Sequence, residues 1–274
     1  MNDFRRRVPA GPLSQFVECL WYFEGAARAH EFERILPDGS VEVVINLEED
    51  RFRVYDRHSH ALEQTVRGVL VSGPRSEYFV IDTAQQLSTM GIHFKPGGSF
   101  PFLGLPTTEV QNRQVALHDL WGDAAADMRG EIVEAATVDE KFAVVERWLL
   151  RRAARLERHP AVAYALKEFR PGQGRSVTEV TARIGLTPKR FIQLFQREVG
   201  LTPKLFCRVR RFQKVLHAIG VGDRIEWADL AIDCGYFDQA HFIHDFRAFS
   251  GLNPSTYVAH RTEHMNHVPL PKQA

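Results

Sequence analysis

The sequence has few cysteines and no long apolar run. Its three cysteines, Cys19, Cys207 and Cys234, are odd in number and far apart, and no CxxC pair occurs. A disulfide framework and a cysteine-based zinc site are therefore not expected, and a reducing compartment is predicted. No stretch approaches the ~18 consecutive apolar residues of a membrane span. The arginines near the N-terminus are not followed by the apolar segment of a signal peptide. These absences predict a cytoplasmic protein.

Motifs of several enzyme classes are also missing. The sequence contains neither the glycine fingerprint of dinucleotide binding nor a nucleophile motif with a recognisable base. Its composition, 44% hydrophobic and 25% charged, excludes a disordered or collagen-like chain. Since a domain has roughly 150 residues, the 274 residues correspond to about two globular units.

The net charge of +1 conceals two halves of opposite sign. Residues 1–150 hold 15 basic and 23 acidic residues, a net of −8, whereas residues 151–274 hold 20 basic and 11 acidic residues, a net of +9. A basic half favours a polyanionic partner such as nucleic acid. Solvated basic helix faces would give the same numbers, so charge alone leaves both interpretations open.

Secondary-structure signals also differ between the halves. Short apolar or alternating runs separated by turn residues predict a β-rich sandwich or small barrel within residues 30–95. These runs cover residues 41–45, 52–55, 66–71 and 78–81. After Pro106 the pattern becomes helical.

Capping patterns mark the helices of the second half. Thr137 and Glu140 form a capping-box pattern that opens a long helix, whose apolar stripe is predicted to reach Leu156. A further helix is predicted to reach Phe169. From Ser176 onward the chain is predicted to be all-helical.

An internal repeat is the strongest signal in the sequence. Gly185 and Gly235 are 50 residues apart, and Phe191 and Phe242 are 51 residues apart. The offset of 51 also relates Phe195 to Phe246, and the Gly-Leu-Thr-Pro at 200–203 to the Gly-Leu-Asn-Pro at 251–254. Repetition of these spaced residues indicates two copies of one supersecondary unit.

Each copy follows the plan of a helix-turn-helix. In the first copy, Ser176 and Glu179 can cap a helix that ends at Gly185, and Thr187 with Pro188 can begin the next. This second helix is expected to bury its phenylalanines and to direct its polar side into the major groove of DNA. The outward residues of the two recognition helices, which are the candidate DNA-binding residues, are Lys189, Arg190, Gln193, Arg197, Gln239, His241, His244 and Arg247.

The candidate residues suggest different roles. Gln193 and Gln239 are the best candidates for reading adenine, because a carboxamide can pair bidentately with N6 and N7. Lys189 and Arg190 could read guanine or contact phosphate, and their positions leave both roles open. The phenylalanines could instead stack on unpaired bases, as in single-strand binders, but their helical spacing favours burial.

Residues 176–258 resemble the DNA-binding domain of AraC/XylS-type transcription regulators. The resemblance is carried by residues 180–187, the Phe191/Phe195 pair, residues 230–236 and residues 246–254. It implies two helix-turn-helix units joined by a long helix, here about Lys204 to Ile219, with both recognition helices in successive major-groove segments. Family members usually have arginine where this chain has His244, so the resemblance does not support guanine reading there.

Most of residues 10–150 resemble an uncharacterised domain that precedes such DNA-binding domains. The matching stretches are Pro37-Asp38-Gly39, residues 91–98 and residues 118–122. The resemblance implies a cupin-like fold with a role in effector sensing or dimerisation, and it leaves the effector-binding residues unknown.

Two histidine groups invite a metal-site interpretation. His58, His60 and Glu63, with His93 as a later ligand, follow an order similar to that of metal cupins, but a solvated hairpin is the favoured interpretation. The histidines at 260, 264 and 267 are expected in a frayed polar C-terminus. Neither metal nor cofactor is therefore expected.

The sequence thus predicts a bacterial one-component transcription regulator that is not an enzyme. An α+β domain, residues 1–158, is expected to combine a cupin-like β-barrel or sandwich with helices, and residues 159–274 to form an all-α double helix-turn-helix domain. Double-stranded DNA is the predicted partner, with RNA polymerase, a small-molecule effector and a second copy of the chain as further candidates. Localisation at the cytoplasmic nucleoid is expected, without a membrane partner. The alternatives are a metal-dependent cupin enzyme or DNA-repair domain fused to a DNA reader, and a module that binds an acidic protein.

Overall fold

The computed structural model describes residues 3–153, 156–170, 175–219 and 225–270. The strands are β1 (Asp3–Arg7), β2 (Val17–Glu24), β3 (Phe32–Ile35), β4 (Glu42–Asn46), β5 (Arg51–Tyr55), β6 (Leu62–Arg67), β7 (Val69–Ser72), β8 (Phe79–Asp82), β9 (Ser88–Phe94), β10 (Gln114–Ala116) and β11 (His267–Pro269). The α-helices are α1 (Phe100–Leu103), α2 (His118–Trp121), α3 (Ala124–Glu134), α4 (Val138–Arg152), α5 (Pro160–Glu168), α6 (Val177–Ile184), α7 (Pro188–Val199), α8 (Pro203–Ile219), α9 (Trp227–Asp233), α10 (Gln239–Ser250) and α11 (Pro254–His260). Within these ranges, no helix is both long and apolar enough to cross a membrane.

Antiparallel sheets form the first part of the chain. A six-stranded sheet has the order β1-β2-β9-β4-β7-β10, a three-stranded sheet has the order β11-β3-β8, and β5 pairs with β6. Because side chains alternate along a strand, Val43 and Ile45 of β4 are buried in the main core of this part, while Glu42 faces the other way. The β-rich first part and the helical second part confirm the predicted fold class.

Helices α3 and α4 cover one face of the six-stranded sheet. Ile132 of α3 and Leu149 of α4 are buried in the same apolar cluster as the inward residues of β4. The predicted capping box opens α4, since the Glu140 N–H donates to Thr137 Oγ1 at 3.2 Å and the Thr137 N–H donates to the Glu140 carboxylate at 3.0 Å.

The predicted extent of this long helix is wrong at its end. Helix α4 stops at Arg152, and the backbone is already extended at Ala153. Leu156 therefore lies beyond the helix, although it still packs against the same apolar cluster.

A break at Gly68 divides what the sequence predicts as one strand over residues 66–71. These residues instead form the end of β6 and most of β7. A Cβ at Gly68 would lie 2.4 Å from Asp50 Oδ1 and 2.6 Å from Arg129 Nε. The Arg129 side chain passes this point to donate to the Asn46 carbonyl at 2.8 Å. Because a Cβ at this position would collide with the side chain of Arg129 in α3, only glycine fits there, and a local sequence pattern does not reveal that neighbour.

The second part of the chain is built around α8. Phe206 and Phe212 of this helix are buried, and each packs against a phenylalanine of a different helix-turn-helix unit. Ring centroids are 5.6 Å apart for Phe195–Phe206 and 5.2 Å apart for Phe212–Phe246. The long helix between the units is thus a shared wall of both cores.

The segment after α11 returns to the first domain. Strand β11 pairs antiparallel with β3, and its His267 Nδ1 lies 3.0 Å from an oxygen of Glu33, a carboxylate that is almost completely buried. The expectation of a frayed polar C-terminus is therefore wrong for residues 266–270, because their backbone and the His267 side chain have partners in the first domain. The predicted domain boundary at residue 158 stays a prediction, and β11 lies on its far side.

Apolar packing also joins the two parts of the chain. Leu36, Tyr78 and Val80 of the first part are buried in the same cluster as the phenylalanines of the helical part. The Thr107 hydroxyl donates to the Glu198 carbonyl at the end of α7, at 2.9 Å. The helix-turn-helix core is thus completed by residues outside it.

Candidate DNA interface

Helices α7 and α10 begin at side-chain caps that follow tight turns. The Arg190 N–H donates to Thr187 Oγ1 at 3.3 Å, and the His241 N–H donates to Asp238 Oδ1 at 2.7 Å. Gly185 and Gly235, at φ of +72° and +85°, supply the left-handed conformation that ends the preceding helices. The turn geometry confirms the repeat-based prediction of two helix-turn-helix units.

Aromatic side chains form the inner faces of the two recognition helices. Phe191, Phe195 and Phe242 are fully buried, and Phe246 is 1% exposed. Within each helix the two rings meet edge to face, with centroids 5.8 Å apart in α7 and 5.7 Å apart in α10. The predicted burial is confirmed, and stacking of these four rings on bases is excluded in this conformation.

Three polar side chains on α7 have no protein partner within the described part of the chain. Lys189, Arg190 and Gln193 are exposed and make no side-chain hydrogen bond or ion pair there. Arg197 is placed differently: its guanidinium lies over the ring of Phe100, with Cζ 5.5 Å from the centroid. Because Phe100 belongs to α1, this arginine packs toward the first domain.

The outer face of α10 is similarly divided. Gln239 and His244 are exposed and, within the described ranges, form no side-chain hydrogen bond. His241 packs against the edge of Tyr236, with ring centroids 5.3 Å apart, and its Nε2 lies 3.9 Å from Oδ2 of the buried Asp245. The Nε–H of Arg247 donates to Asn253 Oδ1. His241 and Arg247 are therefore held in place, whereas Gln239 and His244 are free to meet a ligand.

A basic groove of about 1040 Å³ runs between the two units, along one side of α8. Its walls include Glu168, Asp233 and Asp245, but cationic side chains predominate. These cations are Arg170, Arg175, Lys204, Arg208, Arg210, Arg211 and Lys214. His241 and His244 of α10 lie on its rim, so the groove adjoins the second recognition helix.

The cations of this groove fall into two groups. Arg208 pairs with the buried Asp245, with Nη2 2.6 Å from Oδ1, and Arg211 donates to the Gly235 carbonyl at 2.8 Å. Lys204 and Arg210 make no side-chain hydrogen bond or ion pair within the described residues. Sequence reasoning treated α8 only as a connector, although its basic residues recur at helical spacing, the signal that could have identified this surface.

Two exposed apolar residues were also missed. Phe237, in the turn before α10, is 85% exposed, and Ile192 of α7 is 37% exposed between Arg190 and Gln193. A large side chain in such a position can contact the thymine methyl group in the major groove. The outward positions of the repeat predict only polar contacts, so neither residue was expected at the interface.

The histidines considered for a metal site contact different groups of residues. His58 and His60 occupy the turn between β5 and β6, where the His60 ring packs on Phe32 with centroids 5.4 Å apart. His93 on β9 is engaged elsewhere, with Nε2 3.3 Å from Asp38 and Nδ1 3.6 Å from Glu42. Within the described residues, no group of three or more His, Cys, Asp or Glu side chains is arranged to hold a metal ion.

Comparison with protein families assigns both parts of the chain. Residues 180–260 match a helix-turn-helix domain, which confirms the AraC-type resemblance, and residues 5–116 match a domain of unknown function (DUF6597). No functionally curated protein matches the chain.

Similar solved structures include ToxT from Vibrio cholerae in unliganded and liganded forms. An unliganded variant has a TM-score of 0.39 at 9% identity, covering 94% of this chain and 96% of that chain. The complex with (E)-4-(8-methylnaphthalen-1-yl)but-3-enoic acid has a TM-score of 0.40 at 8% identity, covering 94% and 98%. The complex with an unsaturated fatty acid has a TM-score of 0.37 at 9% identity, covering 94% of each chain.

Proposed function

Because residues 180–260 are a helix-turn-helix domain, we propose that the chain is a transcription regulator that binds double-stranded DNA by sequence. The observation that carries this proposal is the free polar face on both recognition helices, opposite phenylalanines that are buried in a common core. A helix in this arrangement can enter a major groove with its apolar side supported from behind.

Reading and positioning are proposed to belong to different side chains. Gln193 and Gln239 read adenine, since both are exposed and unengaged. Lys189 and Arg190 meet guanine or phosphate, and His244 meets the second half of the site. Arg197, His241 and Arg247 already have protein partners, so they contribute to the shape and charge of the interface.

The basic groove along α8 supports a phosphate-binding role. Lys204 and Arg210 line it beside the second recognition helix, where the backbone between two major-groove segments would pass. Contacts to phosphate are independent of sequence and fix the register of the protein on the duplex.

The first domain is proposed to modulate DNA binding in response to a small-molecule effector. Its supporting observation is the core that it shares with the helix-turn-helix domain, through Leu36, Tyr78 and Val80. Further proposals are a homodimer, contact with RNA polymerase, action at the cytoplasmic nucleoid and no enzymatic activity.

Selection of bound fragments from genomic DNA, followed by footprinting with the full chain, tests the proposal. Two successive major-groove segments on one face of the duplex should be protected, about 10 base pairs apart. Selection that yields no shared sequence, or protection of a single segment, would contradict a double reader.

A further inference from the structure

The turn before α10 contains one residue more than the turn before α7. The residues that cap the two helices, Thr187 and Asp238, are 51 residues apart in the sequence. The left-handed glycines at the start of the two turns, Gly185 and Gly235, are only 50 residues apart. The second unit therefore carries an extra residue directly in front of its recognition helix.

Packing identifies Phe237 as the extra residue. In the first unit, Leu186 is the only residue between the glycine and the cap, and it packs against the apolar cluster of the helical domain. In the second unit, Tyr236 is buried in the same cluster. Phe237 is 85% exposed, more than any other large apolar side chain in the described part of the chain, and its ring makes no aromatic or cation contact there. Tyr236 thus occupies the place of Leu186, and Phe237 is left outside the core.

Phe237 is not needed to hold the start of α10. An apolar residue just before a capping residue often packs against the fourth residue of the helix, which here is Phe242. The ring of Phe242 is already covered, because it stacks on Trp227 with centroids 5.9 Å apart and meets the edge of Tyr236 at 5.5 Å. The exposed ring of Phe237 therefore has no role in the core of this unit.

The backbone on both sides of Phe237 is held by hydrogen bonds. The Tyr236 N–H donates to the Ala231 carbonyl at 2.9 Å, and the His241 N–H donates to Asp238 Oδ1 at 2.7 Å. The ring is thus presented by an ordered turn at the N-terminal end of α10. In helix-turn-helix proteins this end of the recognition helix contacts the base edges.

We infer that Phe237 contacts the methyl group of a thymine in the major groove and adds a thymine preference to the segment read by α10. The thymine methyl is the apolar group that the base pairs present in this groove, where the other base-edge groups are hydrogen-bond donors and acceptors. A phenyl ring laid against those polar groups would leave them without partners. The inference rests on the proposed function, to which it adds a specificity-determining residue and the base that this residue selects.

Replacement of thymine by deoxyuridine tests the contact, because deoxyuridine lacks only the 5-methyl group. Each thymine within the two footprinted segments of the selected operator is replaced singly, and the affinity of the full chain is measured by fluorescence anisotropy at one salt concentration. Wild-type binding should weaken by about fourfold at one or two thymines of a single segment, as expected for one methyl group that is no longer buried.

Two variants assign this effect to Phe237. Phe237→Ala and Phe237→Ser should bind the natural operator about fourfold more weakly than the wild type. They should show no further loss when the sensitive thymine is replaced, while deoxyuridine in the other segment should affect them as it affects the wild type. Phe4→Ala removes an exposed phenylalanine of the first domain and should reproduce the wild-type profile throughout.

The inference is overturned if every deoxyuridine operator binds the wild type as the natural operator does. It is also overturned if both Phe237 variants, shown by circular dichroism to be folded, keep the wild-type sensitivity to the missing methyl group. Failure of both variants to fold would show that the ring supports the core, which contradicts its role at the groove. Selection that yields no operator contradicts the proposed function itself, whereas an operator without a methyl effect contradicts only this inference.

Discussion

Some side chains on the two recognition helices have protein partners and others have none. Only a side chain without a protein partner can turn toward a base without first breaking a contact. Gln193 and Gln239 can rotate to meet a base edge, because no protein group within the described residues holds them. Arg197 and Arg247 would first have to leave Phe100 and Asn253. The sequence placed all four side chains outward, yet it could not distinguish these states, because the partners of Arg197 lie in another domain.

Replacement of either glutamine should relax base preference. Gln193→Ala or Gln239→Ala is expected to weaken binding to the preferred operator by about 1–3 kcal/mol, because one bidentate pair is lost. Affinities for single-base operator variants measure the effect, which should be confined to one position for each variant. Gln64→Ala, an exposed glutamine on β6, is the matched control. An unchanged preference profile in both helix variants would show that neither residue reads a base.

His93 is expected to make stability depend on alkaline pH. Burial disfavours its charged form, but the carboxylates of Glu42 and Asp38, 3.6 Å and 3.3 Å from its ring nitrogens, outweigh burial and raise its pKa from 6.5 to about 9. A raised pKa in the folded state contributes stability that is complete below pH 6.5 and is lost as the pH rises through about 9.

Urea unfolding of the full chain at pH 6 and at pH 9.5 measures this contribution. The wild type should lose more stability between these pH values than His93→Gln, which cannot titrate. Equal losses in the two proteins would show that His93 is not the group responsible.

Helices were more predictable than strand pairings because their boundaries depend on local chemistry. The bounds of α6, α7 and α10 follow from Ser176, Thr187 and Asp238, each of which caps the helix that begins beside it. Gly68, at the break between β6 and β7, is packed against Arg129 of α3, and β11 pairs with a strand more than 200 residues earlier. Neither partner leaves a trace in the local pattern, so both features were missed.

The buried phenylalanine pairs should contribute strongly to the free energy of unfolding of the domain that holds the recognition helices. Phe195→Ala or Phe246→Ala should lower the free energy of unfolding by about 3–5 kcal/mol, since each leaves a cavity beside α8. Phe237→Ala is the matched control, because a residue that is 85% exposed should change stability by only about 0.5 kcal/mol or less. Denaturant unfolding of the full chain provides the values. A Phe195→Ala or Phe246→Ala protein with wild-type stability but no DNA binding would contradict burial as the role of the ring.

The whole molecule combines an acidic half with a basic half that share one apolar cluster. Leu36, Tyr78 and Val80 close the core of the helical domain, and β11 pairs with β3 in the three-stranded sheet of the first domain. The charge asymmetry of the sequence predicted that the basic surface lies in the second half. It did not predict the apolar packing between the two halves. A structural change in the first domain can therefore be transmitted to α8 through direct contacts. Substitution of the α8 cations should then show whether this helix contacts DNA.

Salt dependence provides the test at this scale. Each phosphate contact contributes a slope of about −0.9 to the logarithm of affinity against the logarithm of salt concentration. The double variant Lys204→Gln/Arg210→Gln should therefore reduce the slope of the full chain by about 2, with affinity lowered on all duplexes alike. Arg51→Gln/Arg67→Gln removes two exposed cations from the first domain and should leave the slope unchanged. Titrations over a range of salt concentrations compare the two proteins. If both slopes equal that of the wild type, the groove along α8 does not hold the phosphate backbone, and DNA binding depends on the recognition helices alone.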